Sequence, residues 1–225
     1  MEQQLNKSYF CSMNILLTSA TSKELVPFLD YYRSAKRLLE IDVLVTGIGL
    51  TATTYHLTKH FSIKKPDLVI QAGVAGCFKK QLPLGSVVAI KQDTIADESV
   101  IEMKKLKTLF DLKLVPQNQF PYTRGWLVNN TSFLKKCNLK TVKGISVNQI
   151  TTSEDMILFY KKQFNPVIES MEGAALHYVC LKEKIPFLQI RSVSNYIGER
   201  NKNNWNMKES VINLNNELIG LIEKL

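Results

Sequence analysis

The stretch "VIESMEGAALHYV", residues 167–179, holds a strand end, two acids and a helix start in thirteen positions. Val167-Ile168 reads as the close of a buried strand, and Gly173-Ala174-Ala175 as the close-packed start of a helix. Glu169 and Glu172 stand between them. A buried carboxylate costs several kcal/mol unless it is paired or hydrogen-bonded. A strand running straight into a helix is the unit of an α/β fold, and ligands of open α/β sheets bind at such strand ends.

The same alternation extends in both directions. Met13 to Thr18 predicts a strand, "SKELVPFLDYYRSAKR" (22–37) a helix capped by Ser22, and "IDVLVTG" (41–47) a second strand. A helix over about 50–61, "PDLVIQAG" (66–73) and "GSVVAIKQDTIAD" (85–97) follow. Their β-branched apolar runs, closed by glycine or turn residues, suit strands buried on both faces. Residues 98–124 are polar and irregular and read as a long excursion. The remainder reads as a strand (140–148), a helix (153–164), the strand and helix of the opening stretch, a strand (185–195) and a closing helix from Met207. The expected fold is a three-layer α/β/α sandwich around a central mixed β-sheet, one domain over 13–225, with residues 1–12 a disordered extension or an upstream start before Met13.

At 225 residues and 45% apolar content the chain is of ordinary size for one sizeable core. No apolar run reaches the ~18 residues of a membrane span, and "MEQQLNKSYFCS" has neither the basic start nor the apolar centre of a signal peptide. A cytoplasmic protein is expected. Cys11, Cys77, Cys137 and Cys180 are widely separated and form no CxxC, which suits reduced thiols. His56 and His60 stand four apart without a partner motif, so no metal is expected, and no cofactor. The net charge of +9 comes from scattered lysines without interleaved aromatics, which excludes a nucleic-acid surface but suits an anionic small molecule.

From the residues alone, Glu172 is equally a site carboxylate or a first-turn acid favoured by the helix dipole. Glu24 equally suits a helix surface, and Asn195 a turn at a strand end. The ordered set "GIG" (47–49), "AGVAG" (72–76), "ESMEGAA" (169–175) and "PFLQIRSVSN" (186–195) resembles the purine nucleoside phosphorylase/nucleosidase superfamily from Met13 to the C-terminus. Within it the methylthioadenosine/S-adenosylhomocysteine nucleosidases and the futalosine hydrolases are most similar, and the tail "SNYIGERNKNNW" (194–205) most resembles the latter.

The resemblance implies cleavage of a purine N-glycosidic bond through an oxocarbenium-like sugar. It places Glu172 on the ribose hydroxyls, Met171 against the sugar, and Gly73-Val74 at the pocket floor. Thr152 and Ser153 align with the base-stacking segment, and Arg191 stands behind the glutamates. Phosphorolytic family members carry arginine where this chain has Glu24 and Gln71, so water is the expected nucleophile and Glu24 its base. Adenosine-type nucleosidases have aspartate at position 195. Asn195 pairs donor and acceptor with a 6-oxopurine instead, which points to hypoxanthine as the leaving base. The resemblance further implies a nucleoside as the partner, a homodimer in which a neighbour closes the pocket, and Arg200 and Trp205 as candidates for holding the 5′ group.

Overall fold

A computed structural model describes residues 13–34 and 40–225. The extension expected at 1–12 lies outside the described residues, as does the end of the first predicted helix. Eleven strands and six helices follow in the order β1 (Asn14–Ser19), α1 (Val26–Ser34), β2 (Glu40–Val45), α2 (Leu50–Ile63), β3 (Leu68–Cys77) and β4 (Val87–Asp93). Next come β5 (Ser99–Glu102), β6 (Lys105–Thr108), β7 (Tyr122–Thr123), β8 (Trp126–Val128), α3 (Ser132–Lys136) and β9 (Thr141–Ser146). The chain ends with α4 (Glu154–Gln163), β10 (Ile168–Ser170), α5 (Gly173–Glu183), β11 (Phe187–Tyr196) and α6 (Met207–Ile222).

The first helix begins later than Ser22. A short 3₁₀ turn, Ser22–Glu24, precedes it, and Pro27, which lacks an N–H, sits in the first turn of α1 where none is needed. The polar excursion contains the hairpin β5–β6, paired from Ser99↔Thr108 to Glu102↔Lys105.

The sheet is mixed. Strand β1 lies parallel between β2 and β3. Strand β3 pairs parallel with β11, which pairs antiparallel with β4. Strand β4 runs parallel to β9, β9 to β10, and β10 returns antiparallel to the far end of β3. These five strands therefore pair in a closed cycle, with β2–β1 attached at one side and β8–β7 at the other.

Strand alternation assigns the faces. Ile15, Leu17, Leu68 and Ile70 pack with Phe28 of α1 and Leu214, Leu218 and Ile222 of α6. Leu16 and Val69 point the other way, onto Leu57 and Phe61 of α2 and Leu176, Val179 and Cys180 of α5. The third group, Ile145, Val147, Tyr160 and Phe164, seats α4 beside the closed cycle. Helix α5 is buried on most sides, and its first residue shows why. A Cβ on Gly173 would lie 2.2 Å from Gln189 Nε2 and 2.3 Å from Asp93 Oδ2. Both side chains are fully buried and have no slack. Gly173→Ala is expected to cost about 1–3 kcal/mol by overpacking, read as a fall of several degrees in thermal midpoint; an unchanged midpoint would mean that the contact relaxes freely.

Candidate active site

The C-terminal ends of β1 and β3, the β10–α5 joint and the end of β11 surround a cavity of about 490 Å³. Its wall includes Glu24, Val74, Glu169, Met171, Glu172 and Asn195.

Glu24 closes the 3₁₀ turn after β1 and is nearly buried, 9% exposed. Its Oε2 accepts from Thr21 N at 3.1 Å and from the Thr21 hydroxyl at 3.3 Å, while its Oε1 accepts from Val74 N at 3.0 Å. The carboxylate is thus fixed at both ends by neutral donors.

Glu172, 5% exposed, faces the same cavity from the start of α5. Its Oε1 accepts from Gly49 N at 3.1 Å, and its Oε2 lies 3.4 Å from Arg191 Nη2. Gly47 and Gly49 hold φ of +78° and +94°, a backbone region that residues with a Cβ adopt only under strain, and this turns the Gly49 N–H toward the carboxylate.

Arg191 is 1% exposed and lies behind Glu172. Its Nη2 donates to Gln71 Oε1 at 2.6 Å as well as approaching Glu172. A Cβ at Gly73 would stand 2.3 Å from Arg191 Nη1 and 3.0 Å from Glu24 Oε1. Gly73 is therefore the gap through which guanidinium and Glu24 approach each other. Gln71 acts here as a neutral acceptor for the buried cation.

Asn195 follows a register shift in the β11–β3 pairing between Val193 and Asn195, a bulge of the kind that re-aims side chains near sites. Its Nδ2 donates to the Tyr196 carbonyl at 3.2 Å, and its Oδ1 accepts from the Ser194 hydroxyl at 2.9 Å. A carbonyl only accepts, so the Tyr196 oxygen settles which end of the amide is nitrogen. One N–H and one lone pair remain at the cavity wall.

Several expected residues are placed otherwise. Thr152 and Ser153 are exposed and do not line the cavity; Ser153 is the N-cap residue of α4, and Ile150 lines the wall in their stead. Gly73 lies under the wall rather than on it. Glu169 fixes the segment carrying Ile150, since its Oε1 accepts from Thr151 N at 3.0 Å. Burial raises its pKa above the usual carboxylate range.

Behind the site lies a polar layer that the motifs did not mark. Asp93 is fully buried, and desolvation raises its pKa to about 6 against the lowering effects of the Ser146 hydroxyl and Arg191. His177 is likewise buried, Nδ1 bonding the Leu127 carbonyl at 2.9 Å, and desolvation lowers its pKa to about 4 so that it is neutral near pH 7. The available signal for His177 was a lone polar residue inside an apolar run, which equally suits a satisfied core side chain, and Asp93, in the polar run Lys91–Thr94, gave none.

The family model of the Phosphorylase superfamily matches residues 31–225, and the chain belongs to that superfamily. Among individual relatives, a 5′-methylthioadenosine/S-adenosylhomocysteine nucleosidase of Buchnera aphidicola is 26% identical over 180 residues, 72% of this chain and 69% of that protein. A futalosine hydrolase of Thermus thermophilus is 25% identical over 171 residues, 75% of each chain. In fold, the chain superposes on a 5′-methylthioadenosine/S-adenosylhomocysteine nucleosidase of Helicobacter pylori with TM-score 0.79 at 21% identity, covering 96% of this chain and 100% of that one.

Proposed function

We propose that the protein hydrolyses the N-glycosidic bond of a 6-oxopurine nucleoside, futalosine, to hypoxanthine and dehypoxanthine futalosine, a step of the alternative route to menaquinone. The observation that carries this reading is the pair of buried carboxylates, Glu24 and Glu172, facing one cavity over a single buried guanidinium.

Glu172 accepts the ribose hydroxyls and lies beside the carbon where positive charge develops, so its effect is larger in the transition state than in the ground state. Glu24 takes a proton from water as the water oxygen bonds to C1′. The C1′–N9 bond breaks toward the purine, its electron pair leaves with the base, and the base takes a proton from solvent at N7 while Glu24 returns its proton to solvent. Glu24 would repel a phosphate, and Arg191 lies buried with its Nη2 engaged by Gln71 and Glu172. The free N–H and lone pair of Asn195 match O6 and a protonated N7 of hypoxanthine, whereas a 6-amino group would set donor against donor.

The rest of the cavity lining supports a 5′ group that is both apolar and anionic. Ile197, Met207, Val211 and Trp205 line the cavity, and Arg200 supplies positive charge. The Arg200 guanidinium lies 5.6 Å from the Trp205 ring centroid, and Trp205 Nε1 donates to the Glu199 carbonyl at 3.1 Å. Ile48, 62% exposed on the cavity rim, suits cover by a second copy of the chain in a homodimer. No helix among the described residues is long and apolar enough to cross a membrane, which is compatible with a cytoplasmic location.

Free-base release from futalosine, inosine, aminofutalosine and methylthioadenosine, each with and without phosphate, tests the reading. Hypoxanthine from futalosine at the same rate in both conditions is expected, and Asn195→Asp should move preference toward the 6-amino substrates by about tenfold or more, since one buried hydrogen-bond mismatch is worth ~1–3 kcal/mol. Dependence on phosphate would make the protein a phosphorylase. Adenine from the amino substrates would favour the methylthioadenosine/S-adenosylhomocysteine reading, which the Buchnera relative also supports.

A further inference from the structure

The free N–H groups of a helix's first turn are ordinarily taken by a short N-cap side chain, Ser, Thr, Asp or Asn. Glu172 occupies that position in α5, with φ −131° and ψ −19°, yet its side chain makes no capping bond. Its carboxylate reaches outward to Gly49 and Arg191 instead. The helix N–H groups it leaves are taken by hydroxyls from two other strand ends. Gly173 N donates to Ser170 Oγ at 3.3 Å, and Ala174 N donates to Ser146 Oγ at 2.8 Å.

These hydroxyls are ordered by a third group. Ser146 Oγ donates to Asp93 Oδ1 at 3.0 Å and lies 3.4 Å from Ser170 Oγ. A hydroxyl has one proton and two lone pairs. Once the Ser146 proton is committed to Asp93, its lone pairs face Ala174 N and the Ser170 hydroxyl. All three residues are buried, at 0% exposure for Asp93 and Ser146 and 6% for Ser170, so water does not compete for these bonds. The missing Cβ of Gly173 is what lets Asp93 come this close to the helix start.

We infer that Asp93, Ser146 and Ser170 form a surrogate N-cap for α5, and that its purpose is to anchor the first turn so that the Glu172 carboxylate stays in the cavity. They are positioning residues acting through Glu172, and their role rests on the reading of Glu172 as the ribose-facing carboxylate. Without the Ser146 hydroxyl, the Ala174 N–H is left unpaired in a dry site, beside Asp93 Oδ2, a buried oxygen with no partner against the helix start. The first turn then shifts, and the Glu172 carboxylate it carries loosens from Gly49.

The test uses the full chain, ¹⁵N-labelled, with Ser146→Ala, Asp93→Asn, Glu172→Gln and the double variant Ser146→Ala/Glu172→Gln. The Gly49 amide resonance reports the Glu172 contact without reference to turnover. It is expected to move in Ser146→Ala and Asp93→Asn toward its position in Glu172→Gln. For base release, Ser146→Ala should lower kcat/KM by about tenfold in the otherwise unaltered chain and less than about twofold in the Glu172→Gln background, because residues acting through one another are not additive. A Gly49 resonance that stays in place, or a loss repeated in full on the Glu172→Gln background, overturns the inference and leaves only a packing role. Should Ser146→Ala fail to fold, the nearly isosteric Asp93→Asn decides by the same resonance. Absence of base release from the unaltered chain would defeat the nucleosidase reading, while the Gly49 resonance would still decide the cap.

Discussion

Glu24→Gln is expected to lower kcat for base release by about 10²–10⁴-fold, the usual contribution of a general base, with KM changed little. The substitution keeps the shape of the side chain and an oxygen able to accept from Val74 N, whose bond to Glu24 Oε1 is 3.0 Å. What disappears is the basic group, and with it the proton sink for the attacking water. The proposed mechanism separates the two constants, because in it Glu24 acts on water rather than on the nucleoside. A variant retaining near-normal rates at saturating substrate would remove Glu24 from the mechanism, and single-turnover base release alongside equilibrium binding measures both quantities.

Glu172→Gln is expected to lower kcat/KM by about 10²–10³-fold, the size seen when one preorganised electrostatic group is removed from a developing charge. Two losses combine. A neutral amide accepts the ribose hydroxyls more weakly than a carboxylate, and it no longer opposes positive charge on the sugar. The same change also removes the acid 3.4 Å from Arg191, a cation that is 1% exposed. A buried charge left with fewer partners costs about 1–3 kcal/mol, so the thermal midpoint should fall as well. In Glu24→Gln it should fall less, because that carboxylate is held by Thr21 and Val74 rather than by an ion pair. A Glu172→Gln variant within threefold of normal kcat/KM would put the ribose elsewhere. Comparison of the two variants on one substrate separates loss of the nucleophile's base from loss of sugar stabilisation.

The local signals were sufficient for most elements. The run Leu68–Cys77 is apolar on both faces because it lies in the sheet with helices on either side, and α5 follows β10 within three residues, as the opening stretch implied. The hairpin β5–β6 escaped for a definite reason. Its two-residue turn is Met103-Lys104, with φ of +48° and +60°, a conformation usually signalled by Asn-Gly or Asp-Gly. Neither residue carries that signal, so pairing with the partner strand imposes the turn. Helix α3 escaped because five residues are too few for an apolar period to show.

By itself the sequence determined what depends on near neighbours: alternating strands and helices, glycines where the chain must turn with positive φ, and acids placed where a strand gives way to a helix. Tertiary structure alone decided which of those groups meet. Gln71 and Arg191 lie 120 residues apart, and Ser146 and Ala174 28 apart, yet each pair shares a hydrogen bond. The outward aim of Glu172 was likewise invisible, since its partners Gly49 and Arg191 come from remote parts of the chain and the Ser146 hydroxyl that takes the Ala174 N–H is brought in on β9. The reason is physical: helix and strand periods are set by bonds spanning a few residues, whereas the cavity is set by a closed cycle of five strands whose pairing places remote side chains within 3 Å of one another.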